Sequence, residues 1–153
     1  MFLLSEEVKN KGNIKKAREN MKSGLSINDI QFCGAAGNVV QESGFNPKAE
    51  EYPGKENYGG KGIAQWTGDR RKKASEWLGK PIIKASLEEQ TNFLIYELNG
   101  TEKNALKALK TATTVADAVR IFCEKYERPK AVELCQRIKY ANLVKQMIDG
   151  GQI

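Results

Sequence analysis

A chain of 153 residues at 17.1 kDa is the length of one domain, and its apolar content of 40% with 29% charged residues describes a globular protein with a single core. The sequence has no histidine, which excludes every Ser-His-Asp triad, Cys-His dyad and His-ligated zinc site and leaves acid and base chemistry to the carboxylates. The net charge of +6 is divided evenly between residues 1–78 and 79–153, so there is no basic tail, and a pI near 9.2 suits an anionic cell wall as well as a nucleic acid.

The opening Met1-Phe2-Leu3-Leu4 is short, is followed by Ser5-Glu6-Glu7 and has no basic stretch ahead of it, so neither a signal peptide nor a membrane span is expected in this chain. Residues 13–22 are rich in helix formers and predict a helix ending before Gly24. Ser26-Ile27-Asn28-Asp29 then reads as a capping box with Ser26 as the cap. The helix that follows carries Ile27, Ile30, Cys33, Ala36 or Gly37, and Val40 at helical spacing and stops at Gly44, with Pro47 beyond it. Gly34 and Gly37 inside it predict close approach of another backbone.

Residues 50–62 contain four glycines and one proline and cannot be helical; they predict a loop or an irregular hairpin. After Gly62-Ile63-Ala64-Gln65-Trp66-Thr67, Asp69 is expected to cap a helix ending at Gly79, and Arg70 to form a structural ion pair with it. Arg70-Arg71-Lys72-Lys73 is the only dense cationic run and reads as the solvated side of that helix. Ser86 opens a helix ending at Asn99-Gly100, Thr114 opens one ending before Pro129, and a last amphipathic helix spans about 131–148. Cys33, Cys123 and Cys135 form no C-x-x-C pair and predict buried, reduced thiols. The expected fold class is mainly α, with a small loop or β-hairpin insertion between the second helix and the one near Asp69.

Among the carboxylates, Glu42 stands out. It lies two residues before the glycine that ends its helix, at the negative end of the helix dipole, among the apolar neighbours Val39, Val40 and Phe45. Dipole and desolvation both disfavour the ionised form there, which suits a general acid. The competing reading is a surface glutamate paired with a lysine such as Lys48.

Two segments bear on that choice: Asn38-Val39-Val40-Gln41-Glu42-Ser43-Gly44-Phe45-Asn46-Pro47 and Gly62-Ile63-Ala64-Gln65-Trp66-Thr67-Gly68-Asp69-Arg70-Arg71. Together they resemble the phage tail lysozyme family, within the wider lysozyme-like group that includes lytic transglycosylases. Gln90, Phe93, Glu97, Leu98 and Gly100, then Tyr126-Glu127-Arg128-Pro129, fit more weakly. The resemblance covers about residues 27–142. The division expected from it is an N-terminal helical extension, 1–25, and a lysozyme-like catalytic domain, 26–149.

The resemblance implies a peptidoglycan muramidase cutting between N-acetylmuramic acid and N-acetylglucosamine, of phage tail or endolysin type, with no cofactor and no metal. Glu42 becomes the acid that protonates the glycosidic oxygen. Ser43 belongs to the Glu-Ser pair at the helix end, Gln65 bonds the sugar, Trp66 offers a ring face or seals the core, Thr67 positions water or caps a helix, and Tyr126 brings a hydroxyl to the cleft. A hydrolase needs a second carboxylate, about 5 to 5.5 Å from the first for retention and about 6.5 to 9.5 Å for inversion. Glu51 is the first choice, with Glu50 and Glu56 as alternatives on the same segment. If none serves, the single acid of a lytic transglycosylase and an anhydro product remain, and a wall-binding relative without activity is the third reading. The implied partner is bacterial peptidoglycan, with no nucleic acid and no membrane insertion, and phage tail or secretion-machine components as further partners of a chain taken to be monomeric. The implied location is a phage tail or, after export, the bacterial cell wall.

Overall fold

The structure, a computed structural model, describes residues 8–153, so the opening tetrapeptide lies outside the described residues. Among these are seven α-helices: α1 (Lys11–Leu25), α2 (Asp29–Ser43), α3 (Gly68–Leu78), α4 (Leu87–Asn99), α5 (Lys103–Leu109), α6 (Val115–Phe122) and α7 (Leu134–Asp149). A 3₁₀ turn, Ile82–Lys84, precedes α4, and a π-turn, Cys123–Glu127, extends α6.

Helix α2 is the axis of the fold, since every residue from Gln31 to Val40 is buried. A helix surrounded on all sides needs small residues where its neighbours cross it. A Cβ on Gly34 would lie 2.3 Å from Ala118 Cβ of α6, and one on Gly37 would lie 2.5 Å from the Arg137 carbonyl oxygen of α7. The two glycines therefore set how closely α6 and α7 flank α2, as their spacing predicts.

Helix α1 buries Ile14, Ala17, Met21 and Leu25 and packs mainly against α4. It runs through Gly24, past the expected end, because that position lies against Ile95 and the turn is completed at Leu25 with Ser26 left-handed. Ser26 therefore closes α1 instead of opening α2. The cap of α2 is Asn28, which accepts the Gln31 N–H while the Gln31 side chain accepts the Asn28 N–H. The start of α1 also reaches the end of α2: Asn10 donates to the Gly44 carbonyl at 2.8 Å and Asn13 to the Phe45 carbonyl at 3.0 Å.

The Ser86 capping box forms as predicted, with Glu89 closing it. Thr114 caps α6 by accepting the Asp117 N–H, whereas the Asp117 carboxylate turns to Arg120. The N-cap position of α3 is held by Thr67, with no side-chain cap bond, and Asp69 sits two residues further in within the first turn, so the expected Asp69 cap is corrected. The expected long helix up to Pro129 is split into α6 and the π-turn, and α7 begins at Leu134, later than its composition suggests.

The insertion between α2 and α3 is a pinched loop held by two isolated antiparallel bridges, Glu50 to Lys61 and Lys61 to Trp66. Its glycines and proline deny it a longer ladder. Gln90, fully buried on α4, fixes it to the helices: its amide N–H groups reach the carbonyls of Pro47, Ile82 and Ala85, and its oxygen accepts the Ile63 N–H at 2.9 Å. Gly62 has φ 76°, and a Cβ there would lie 2.5 Å from that same Gln90 oxygen. Cys33 and Cys123 are buried, but Cys135 is exposed, against the expectation of three buried thiols.

Candidate functional site

Glu42 closes α2 beside the insertion, and the two are joined by Ser43. The Ser43 hydroxyl donates to the Ile63 carbonyl at 2.7 Å, coupling the helix end to the Gly62–Gln65 turn. Gln65 takes a left-handed backbone at φ 53°, and its amide group donates to the carbonyls of Ala49 and Gly62. Gln65 thus pins the loop neck beside Ser43, and Thr67, exposed, ends the turn.

Trp66 and Tyr126 are interior residues, 1% and 0% exposed, so no ring face of either is open to a sugar: of the two readings of Trp66 the core-sealing one fits, and the hydroxyl that Tyr126 was expected to bring to the cleft is turned inward. What they contribute is polar anchoring under the site. The Trp66 indole N–H donates to Glu97 Oε1 at 2.9 Å, and the Tyr126 hydroxyl donates to the same oxygen at 2.6 Å. Arg70 completes the group with bonds of 3.0 and 2.9 Å to the two Glu97 oxygens and one of 2.7 Å to the Tyr126 carbonyl. The ion-pair partner of Arg70 is therefore Glu97, across the helix interface, instead of its neighbour Asp69. Glu97 thus accepts four donors, two of them from the Arg70 guanidinium. The Tyr126 hydroxyl is pushed well above its usual range by burial and by the Glu97 charge.

Glu42 is paired with Arg137 of α7 instead of the expected Lys48. The Arg137 guanidinium, almost entirely buried, donates to Glu42 Oε2 at 2.7 Å, to Asn38 Oδ1 at 3.1 Å and to the Val132 carbonyl at 2.6 Å. Asn38 lies one helical turn before Glu42, is 0% exposed, and spends its own amide on the carbonyls of Gly34 and Val119. Glu42 retains 17% side-chain exposure, against 5% for Glu97. Gln41 beside it is bonded to Glu133 at the start of α7.

A further carboxyl stands behind these groups. Glu127, at the end of the π-turn, has an Oε2 that is sealed from solvent and has no hydrogen-bond partner. Burial, and after it the Glu42 charge, push this carboxyl well above the usual range.

The loop acids are distributed differently. Glu50 forms an ion pair of 3.0 Å with Lys61, a lysine with only 4% side-chain exposure. Glu51 is exposed and accepts the Gly60 N–H at 3.0 Å, latching the loop neck, while Glu56 is exposed on the loop. A cavity of about 590 Å³ lies between the insertion, α3 and the 3₁₀ turn, with Glu50, Glu56, Lys61, Arg71 and Lys80 in its wall. Glu42 is not part of that wall.

Arg137 and Glu127 escaped sequence reasoning. Arg137 is 95 positions from Glu42 and carries no local signal. Glu127 belongs to the Tyr126-Glu127-Arg128-Pro129 segment, where the aromatic drew the attention, and Asn38 stood at helical spacing inside the Glu42 motif.

Among the described residues no helix is long and apolar enough to cross a membrane. No curated protein matches the chain. The family model of the phage tail lysozymes matches residues 12–148, which takes in α1 together with the Glu42 and Gln65 segments. The chain therefore belongs to the phage tail lysozyme family, with peptidoglycan as the material it acts on.

Proposed function

We propose that the protein is a muramidase that hydrolyses the bond between N-acetylmuramic acid and N-acetylglucosamine, with Glu42 as the general acid. The observation that carries this reading is the place of Glu42: a part-exposed carboxyl at the end of the central helix, tied through Ser43 to the insertion. In the reaction the glycosidic C–O bond breaks, the Glu42 proton goes to the leaving oxygen, and water gives its hydroxide to the sugar carbon and its proton back to the site. Ser43 and Gln65 hold the turn against which the glycan lies, and Thr67 borders it.

Glu51 is proposed as the second carboxylate. Its one bond, from a backbone N–H, leaves it freer than Glu50, whose charge is taken by Lys61, and Glu56 is the remaining alternative. A lytic transglycosylase is the second reading, favoured by the commitment of Glu50 and Glu51 to partners within the loop. The setting proposed is a virion tail, an endolysin or an exported effector acting on the wall.

The test is mass spectrometry of fragments released from purified peptidoglycan. Products with reducing muramic acid ends are expected. Products lighter by one water, carrying 1,6-anhydro ends, would replace the hydrolase with the transglycosylase, and no fragments at all would leave a wall-binding protein.

A further inference from the structure

The cavity between the insertion, α3 and the 3₁₀ turn has no part in the Glu42 chemistry, yet its volume of about 590 Å³ is that of a site for a small ligand or a short peptide. Pro81, Ile82 and Ile83 give it an apolar side, and the charged groups of its wall come from the insertion and from α3. Lys61 is the buried one among them. Its ammonium, at 4% side-chain exposure, donates to Glu50 Oε2 at 3.0 Å and to the Tyr52 carbonyl at 3.3 Å, so one of its three N–H groups is left for a further acceptor. A buried donor without an acceptor is costly, and Lys61 lines the cavity, where an oxygen of a ligand would meet it.

The remaining wall charges are of both signs. Arg71 ties α3 to the insertion through the Gly59 and Asn57 carbonyls, at 3.0 and 2.8 Å, which engages its N–H groups but gives its charge no carboxylate. Lys80 is taken by Glu89, outside the wall, at 2.9 Å. Among the described residues Arg71, Lys72, Glu56 and Glu76 share the wall and form no ion pair with one another. Opposite charges that line one cavity without meeting leave room between them for a ligand that carries both signs.

In peptidoglycan those charges lie on the peptide stem. N-acetylated sugars are neutral, whereas the stem bears carboxylates and, at its diamino acid, an ammonium. It hangs from the lactyl group of muramic acid, the sugar whose anomeric carbon is attacked, so a stem site has to lie within a stem's length of the acid. Lys61 meets that condition. It stands two residues from Ile63, whose carbonyl receives the hydroxyl of Ser43, the neighbour of Glu42. Two residues of chain span at most about 7 Å, and a four-residue stem about 13 to 14 Å when extended.

We propose that the cavity is a second substrate site that takes the peptide stem, with the stem carboxylates on Lys61 and Arg71, Lys72 beside them, and the diamino acid's ammonium on Glu56 and Glu76. Resting on the muramidase reading with Glu42 as the acid, this deepens it: the enzyme selects the stem-bearing strand and not the sugar chain alone. The alanine methyl groups of the stem lie against the apolar side at Pro81 and Ile83.

The test is a titration of ¹⁵N-labelled full-length protein with the free tetrapeptide L-Ala-γ-D-Glu-meso-diaminopimelate-D-Ala, followed through the backbone amide shifts. Saturable shifts confined to the insertion, α3 and the 3₁₀ turn are expected, and Arg71→Gln/Lys72→Gln should weaken binding by about tenfold or more. Because Arg71 also holds the insertion, Lys72→Glu is the second variant: its position is exposed, and the reversed charge should weaken binding by about fivefold. Acetylating the free amine of the diaminopimelate should weaken it as well, since Glu56 and Glu76 then lose their partner. No saturable shift at millimolar peptide, shifts on another face, or an affinity unchanged in both variants would overturn the proposal, and an affinity unmoved by acetylation would overturn the roles of Glu56 and Glu76. The peptide contains no glycosidic bond, so the two readings fail separately. Stem binding without released fragments would refute the muramidase alone, and released fragments without stem binding would refute the stem site alone.

Discussion

Replacing Arg137 with methionine keeps the stem packed between α2 and α7 and removes only the guanidinium. That group makes three bonds, to Glu42, Asn38 and the Val132 carbonyl, at 2% side-chain exposure. Val132 is 48% exposed and its carbonyl can turn to water, so the cost falls on Glu42 and Asn38. Stripping the partner from a buried ion pair costs about 3 to 5 kcal/mol, and the 17% exposure of Glu42 places this case near about 3 kcal/mol. In a domain of this length that lowers Tm by about 6 to 12 °C. The double variant Glu42→Gln/Arg137→Met leaves no uncompensated charge and is expected to lose only about 1 to 2 kcal/mol, mostly through the unmet Asn38 oxygen. Urea unfolding followed by circular dichroism measures the cycle. An Arg137→Met variant within about 0.5 kcal/mol of the wild type, or a double variant at least as unstable as the single, would refute the reasoning.

Gly34→Ala places a Cβ 2.5 Å from the Ala118 backbone carbon, and the overpacking outweighs the helix-propensity gain of up to about 1 kcal/mol. A net loss of about 1 to 2 kcal/mol in the same unfolding assay is predicted, and a stabilised variant would contradict the helix spacing. Asp29 is lowered from 3.8 to about 2, chiefly by its bond to Arg18, so its contribution to stability is complete above the upper value and is lost as pH falls through that window. With a third of the side chain exposed that contribution is at most about 1 kcal/mol, and Arg18→Leu should flatten the acid slope of stability against pH. The Cys33 thiol is fully buried and pushed up to about 12, chiefly by burial, so a thiol reagent should label Cys135 alone in the native protein and all three cysteines in denaturant. Rapid native labelling of Cys33 would mean that the α2 core opens easily.

The helices were legible because their signals are local. Ser86 with Glu89, Thr114, and Gly44 each sit within a few residues of the boundary they define, and Gly34 and Gly37 announced a crossing without saying what crosses. Caps misread by two residues, Ser26 for Asn28 and Asp69 for Thr67, are cases in which two neighbouring polar residues suit the same role and only the turn geometry chooses. Glu42 was legible from its helix end. Its surroundings were not, because Arg137, Glu97 and Glu127 come from distant segments, and nothing in the sequence distinguishes a buried charge from a solvated one before the helices are packed. Trp66 and Tyr126 show the same limit: the sequence left Trp66 open between a sugar contact and the core and pointed the Tyr126 hydroxyl at the cleft, and only the packing turns both inward to hold Glu97.

The most direct test of the account is the rate at which reducing ends are released from purified peptidoglycan by the wild type and by Glu42→Gln. The amide retains an oxygen for Arg137, so circular dichroism should show a folded protein with Tm lowered by the loss of the buried counter-charge, while the rate should fall by about 10²- to 10⁴-fold, the contribution of a positioned general acid. A folded Glu42→Gln protein that releases reducing ends at the wild-type rate would contradict the assignment of Glu42 and the muramidase mechanism built on it.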